Sequence, residues 1–355
     1  MNFETLYSWV KDLPIVDWHN HLDLVALAED KPLGSLYEVW VKADPYKHRA
    51  MRICGEPERV ITGDAPEAEK WSAWARTLPK LVGNPLFVWA KMELEWMGLD
   101  GRDNVSLADW TPSKLLKKFG VEYCDPGYRM SADDALDLSA MEDVHARGGR
   151  VLDISVDDVS QLSTYNSQLS IVAAFAAAHG WTMLLHLGAL RETSARLRAA
   201  VGPEGGFAGM RAPVDPAAVA AFLNALEKGN ALPRTILMSL NPEAHASLAV
   251  LAGSFVREGS PGHVQLGPAW WWCDHEDGIR DVLEKNAAYG VLSTFVGMTT
   301  DSRSLLSFVR HDYFRRVLCQ WVAEKVASGA FPDDESLLRP MLENICYKNA
   351  KGMVS

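Results

Sequence analysis

The 355-residue chain reads as an α/β protein of the (β/α)₈ TIM-barrel class, and three observations predict it. Short β-branched runs recur along the chain, punctuated helices lie between the later ones, and no linker, repeat or low-complexity tract divides the sequence.

The first run, Ile15-Val16-Asp17-Trp18-His19, follows Pro14 and reads as a buried strand. Similar runs stand at Val121 to Cys124, Val151 to Ser155, Thr182 to Leu187, Thr235 to Leu240, Val264 to Gly267 and Thr294 to Met298. Asp215-Pro216 opens a helix that closes near Gly229, with a capping acid, a first-turn proline and a terminal glycine in their preferred places. Asn241-Pro242 opens a second, with Leu248, Leu251 and Phe255 at helical spacing. A third, from Asp312, sets Phe314, Val317, Leu318, Trp321 and Val322 on one face. Seven strands are readable; the eighth is expected in Gln161 to Ser170 or inside the long first connection. That connection, about residues 24 to 118, exceeds an ordinary loop and holds six tryptophans. It is read as a helical insertion capping the mouth of a single barrel domain spanning 1–355.

Composition excludes several classes. There are 46 acidic residues against 35 Lys and Arg, so the net charge of -11 repels polyanions and argues against nucleic-acid or acidic-membrane binding. An anionic small substrate would then need local arginines. Five cysteines without a C-x-x-C pair suggest neither a disulfide framework nor a thiolate zinc site and fit a reducing, cytoplasmic setting. Met1 to Leu13 lacks the pattern of a signal peptide, and the longest apolar run, Ile171 to Ala178, is well short of the roughly 20 residues of a membrane helix. A homo-oligomer is left open.

The chemistry concentrates at strand ends. His19 and His21 flank Asn20 after the first strand, where alternation turns both imidazoles to one side, as half of a divalent-metal site. Two surface or hydrogen-bonded histidines are the plainer alternative. Asp301, beyond the run Thr294 to Met298, supplies an anionic ligand, caps the helix near Arg303, or does both. Arg303 can clasp a carboxylate in bidentate fashion or form a surface pair. His186 ends the strand before Gly188-Ala189-Leu190-Arg191 and should face the mouth, to bind metal or substrate or to bond a backbone carbonyl. Trp270-Trp271-Trp272 is either a sugar-binding wall or packing beneath the insertion.

Several stretches together resemble the uronate isomerases, a family of the amidohydrolase superfamily. They are Pro14 to Leu22, Tyr46 to Arg52, Gly83 to Leu86, Leu185 to Arg191, Leu232 to Asn241, Phe295 to Ser304 and Arg310 to Arg316. The resemblance implies a metal-dependent aldose–ketose isomerase of a hexuronate or related sugar acid. It puts His19, His21 and Asp301 at a divalent metal, zinc or another such as manganese, with Asp301, Arg303 and Tyr46 in catalytic roles. His186, Arg191, Trp271 and Arg52 are the expected substrate contacts. The chain also departs from the family. Pro45 stands where the family has a histidine, and Val151 to Val159, taken as the counterpart of its Arg-Pro-Asp segment, has no arginine to hold the substrate carboxylate. Arg52, Arg191 and Arg310 are the candidate replacements. An Asp-Asp-Pro segment is shortened to Cys124-Asp125-Pro126, and an insertion near 156–170 is missing. A superfamily hydrolase of an amide, ester or lactone would use the same metal site, and a catalytically silent sugar-binding protein would hold no metal.

Overall fold

A computed structural model of the chain describes residues 1–164, 166–191 and 193–355. Its strands are β1 (Ile15–Asp17), β2 (Val121–Cys124), β3 (Tyr128–Ser131), β4 (Val151–Val156), β5 (Thr182–Leu187), β6 (Ala189–Leu190), β7 (Gly209–Met210), β8 (Arg234–Ser239) and β9 (Val264–Leu266). The central sheet runs β3-β4-β5-β8-β9, every pair parallel, and β1 pairs parallel with β2. Helices fill the connections after β5 and β8, and β5 is buried at every residue, as expected of a strand covered on both faces. This is the α/β plan of the (β/α)₈ barrel class.

Only Asp125, Pro126 and Gly127 separate β2 from β3. Parallel neighbours need a crossover of a dozen residues or more, and a hairpin would pair the two strands, which are not paired. They are therefore two halves of one stave, the first laddered to β1 and the second to β4. Gly127 makes the bend at φ +68°, where a Cβ would lie 2.4 Å from the Val151 carbonyl oxygen. The short strand β3 escaped the sequence reading, and the stretch Gln161 to Ser170, a candidate for the eighth strand, is helical at Gln161–Thr164 and from Asn166 onward, with Tyr165 outside the described residues. Among the described residues the first connection adds helices and no ladder strand.

The run expected as the last strand, Thr294 to Met298, is a 3₁₀ turn followed by extended chain without a regular ladder. Gly297, at φ +78° against the Ile345 carbonyl, breaks the strand geometry. The segment is held instead by individual bonds. On one side the Val296 amide donates to the Gln265 side chain at 2.9 Å. On the other the His19 amide donates to Thr299 Oγ1 at 3.0 Å, the His21 amide to the Ser302 carbonyl at 2.9 Å, and the Asp301 amide to the His19 carbonyl at 3.2 Å.

Asp17, fully buried at the end of β1, anchors this junction. Its carboxylate accepts from the Thr300 amide at 2.6 Å, Thr300 Oγ1 at 2.7 Å, Thr299 Oγ1 at 3.0 Å and His311 Nε2 at 3.1 Å. Burial pushes its pKa up, but the bonds from His311 and Thr300 outweigh it and hold the carboxyl below its usual range.

Between β1 and β2 the helices of residues 24–119 build their own apolar cluster, centred on Leu36, Trp40 and Trp74, with the last two rings edge to face at 5.6 Å. Leu306, Phe308 and Val309 join it from the far end of the chain. The helix Pro45–Ile53 starts cleanly: Asp44 accepts from the Tyr46 and Lys47 amides, and Pro45 takes the first position, where its missing N–H costs nothing.

Two outcomes follow from this architecture. Gly127→Ala should destabilise the fold by roughly 1–3 kcal/mol, from the left-handed φ and the clash with Val151, measured as a lower urea midpoint. Asp17→Ala should cost about 3 kcal/mol at pH 7 by leaving three donors and His311 unpaired. Because the folded pKa of Asp17 is below the unfolded one, its contribution is complete above about pH 4 and lost as the pH falls through the folded value. Urea titrations at pH 7 and pH 3 should show the gap between wild type and Asp17→Ala closing in acid.

Candidate active site

A cavity of about 390 Å³ opens at the strand ends, lined by His19, His21, Tyr46, Arg129, Asp153, His186, Arg191, Trp270, Trp271, Asp301 and Arg303 among others. Asp301 is its centre. One carboxylate oxygen lies 2.8 Å from His21 Nε2 and 3.2 Å from His19 Nε2, and the other accepts from Trp270 Nε1 at 2.9 Å. Burial raises the Asp301 pKa, yet His21 and His19 beside it hold it well below the carboxylate range. His21 is lowered by burial, which Asp301 only partly offsets, whereas His19 is raised because Asp153 and Asp301 outweigh its burial. The backbone of Asp301 sits at φ +48° and that of Trp271 at φ +52°. Two of the four left-handed non-glycine residues described thus face one pocket, the kind of strain that tertiary contacts must impose.

A second group adjoins the first. Asp153 on β4 meets His186 Nδ1 at 2.6 Å and His19 Nε2 at 3.7 Å. Burial opposes its ionisation, but His186 and His19 keep its carboxyl far below the usual range. The His186 ring lies 4.4 Å from Trp270 and 5.0 Å from His19. His186 Nε2 and His19 Nδ1 are buried without hydrogen-bond partners. Two donor sets, His19/His21/Asp301 and His19/Asp153/His186, each bring their ligand atoms within 4.8 Å. Imidazole nitrogens converging with carboxylate oxygens in this way fit a divalent cation that accepts nitrogen and oxygen donors.

The remaining expected residues spread around this centre. Tyr46 packs edge to face on Trp272 at 5.6 Å, and burial with the Asp301 charge drives its pKa well above that of a free phenol. Arg303 pairs with Glu204. Arg191 bonds Asp157 at 3.0 Å and Ser155 Oγ at 3.1 Å, with Trp271 beneath it at 5.7 Å. Arg52 is not part of the cavity lining: it is held by Glu58 at 2.7 Å and by the Gly205 carbonyl. Arg310 is sealed against Asp274 and the Trp89 ring.

Val151 to Val159 indeed brings no arginine to the pocket, but a strand-end arginine outside that stretch and outside the three named replacements does line it, Arg129. It comes from β3, not from Val151 to Val159, and its guanidinium reaches Nδ1 of His21. Among the described residues it has no acidic partner. The sequence Tyr-Arg-Met-Ser-Ala-Asp-Asp carried it within reach of a reading, but no helix set it apart from the preceding strand. Trp270, which steadies Asp301, was likewise passed over for its neighbour Trp271.

No helix of the described residues is long and apolar enough to cross a membrane. In sequence, the glucuronate isomerase family model matches residues 2–102 and 115–354. The uronate isomerase of Caldicellulosiruptor bescii is 34% identical, covering 98% of this chain and 96% of that protein, and the one from Geobacillus thermodenitrificans is 32% identical, covering 98% and 95%. The first of these alignments runs over 445 positions, more than this chain contains, so the relative carries segments absent here. The crystal structure of uronate isomerase from Thermotoga maritima superposes with a TM-score of 0.87 at 26% identity, covering 99% of this chain and 97% of that one. That of glucuronate isomerase from Caulobacter crescentus gives 0.82 at 20%, covering 99% and 93%, a likeness of fold. With matches of this extent running to isomerases, the hydrolase alternative is not favoured, and the chain belongs to the uronate isomerases, aldose–ketose isomerases of hexuronates.

Proposed function

We propose that the cavity isomerises a hexuronate held with its carboxylate on Arg129 and its carbonyl end toward His19, His21 and Asp301. The observation that carries this orientation is that, among the described residues, Arg129 is the lining arginine without an acid partner, while Arg191 and Arg303 are each paired with one. A guanidinium can hold a carboxylate through two parallel bonds.

His19, His21 and Asp301 would hold a divalent ion, zinc or another such as manganese, and the convergence of two imidazoles on one carboxylate supports this. When bound, such an ion supplies Lewis-acid polarisation of an oxygen ligand. The chain's own groups do the rest. Asp301 takes the proton from the carbon beside the carbonyl, the C–H electron pair becomes the new carbon–carbon double bond, and the carbonyl oxygen gains the negative charge. Arg303, engaged by Glu204 through Nη2 only, donates to that oxygen from another guanidinium nitrogen, and Tyr46, protonated at neutral pH, donates to an oxygen. As that proton returns to the former carbonyl carbon, the hydroxyl on the carbon first deprotonated gives its proton to Tyr46 in place of the one donated and becomes the new carbonyl, which completes the shift. His186, fixed by Asp153, and Trp271 border the sugar. Residues 24–118 serve as the cap, through Pro45 and Tyr46. Five free cysteines are in keeping with a reducing cytoplasm.

Purified protein should convert glucuronate or galacturonate to the ketose, with deuterium from D₂O entering beside the carbonyl. Arg129→Met should raise KM at least about tenfold, as expected on losing a charge-assisted pair. Elemental analysis should find a divalent metal in the wild type and background levels in His19→Ala. Turnover of lactones or amides with hexuronates untouched would refute the assignment.

A further inference from the structure

The three arginines of the cavity differ in one respect, the acid each has been given. Asp157 pairs with Arg191, Glu204 pairs with Arg303, and Arg129, which meets only the neutral partner Nδ1 of His21, has no acid among the described residues. Glu204 belongs to the connection between β6 and β7, and the backbone around it is firmly placed. Arg52 binds the Gly205 carbonyl, and Arg49 binds the carbonyls of Gly206 at 3.4 Å and Ala208 at 3.3 Å. Gly206, at φ +82°, presses so close to the Pro45 carbonyl that a Cβ would stand 2.3 Å away. The strap that presents Glu204 is thus pinned to the helix that presents Tyr46.

A half-exposed ion pair adds little to stability, so its consequence lies in recognition. An anionic sugar entering a pocket with two free guanidiniums can dock either way round. With Arg303 already engaged, only one end of the pocket attracts a carboxylate. We propose that Glu204 is a positioning residue for the isomerisation: it occupies Arg303, sends the substrate carboxylate to Arg129, and leaves Arg303 to meet the oxygen that gains charge. This rests on the orientation proposed above.

The test compares wild type, Glu204→Gln, Glu204→Asp, Arg303→Gln and the double variant Glu204→Gln/Arg303→Gln, with kcat from turnover of glucuronate and Kd from calorimetry. Glu204→Gln should lose at least about tenfold in kcat while binding glucuronate as tightly as wild type or more tightly, the mark of a ligand held the wrong way round. Glu204→Asp should retain most of kcat. In the Arg303→Gln background, Glu204→Gln should bring no further loss relative to Arg303→Gln alone. The proposal fails if Glu204→Gln keeps full kcat, if its Kd weakens in step with kcat, as general loosening of the strap would cause, or if Glu204→Asp falls equally far. A wild type that converts no hexuronate would sink the underlying orientation as well, whereas an active wild type with an unaltered Glu204→Gln sinks this inference alone.

Discussion

The clamp of Asp17 on Thr299, Thr300 and His311 is the interaction on which the rest of the site depends. The residues it joins lie almost 300 positions apart, and no regular ladder closes the gap between the first strand and the segment after Phe295. A buried carboxylate with four donors is stable only if all four arrive together, which makes the junction all-or-none. His19 stands two residues after Asp17 and Asp301 one residue after Thr300. The same bonds that hold the fold together therefore bring the imidazoles to their acid.

Charge is distributed around this centre with a clear division. On the β1 side, ionised carboxylates and histidines cluster in the dry interior, each lowering the cost of burying the other. On the outer side Arg191 and Arg303 are each paired with an acid while Arg129, among the described residues, is not, so that a protein of net charge -11 keeps a localised place for an anion. The tryptophan wall separates the two: Trp270 bonds Asp301, and Trp271 lies under Arg191. Pro45, at the first position of its helix, is a sound residue for opening it and leaves the neighbouring Tyr46 in place.

What could be read from the sequence was whatever obeyed a short period. His19 and His21 are two apart just after a strand, and β5 and β8 each carry an apolar run, Met183 to Leu185 and Ile236 to Met238, so both the pair of imidazoles and the centre of the sheet were visible. The helices opened by Asp215-Pro216 and Asn241-Pro242 formed where their caps foretold, the second beginning with a 3₁₀ turn. Asp301 was legible by its place after an apolar run, although that run proved to be extended chain tied by side chains, because Gly297 and Gln265 replace a ladder with single bonds. Arg129 stayed hidden since a strand following another after three residues gives no signal of its own. The partners of Arg52 and Arg303, Glu58 and Glu204, are matters of tertiary approach that no local pattern announces.

The stave shared by β2 and β3 also carries a consequence for alignment. One continuous rod sets the pairing with β1 at its beginning and with β4 at its end, so neither ladder can slip by a residue without dragging the other. A slip of one would turn every side chain of β3 to the opposite face, taking Arg129 out of the mouth. The bend at Gly127, wedged against the Val151 carbonyl, is the notch that stops such sliding. The orientation of a cavity-lining guanidinium thereby answers to the alignment of a strand on the far side of the bend.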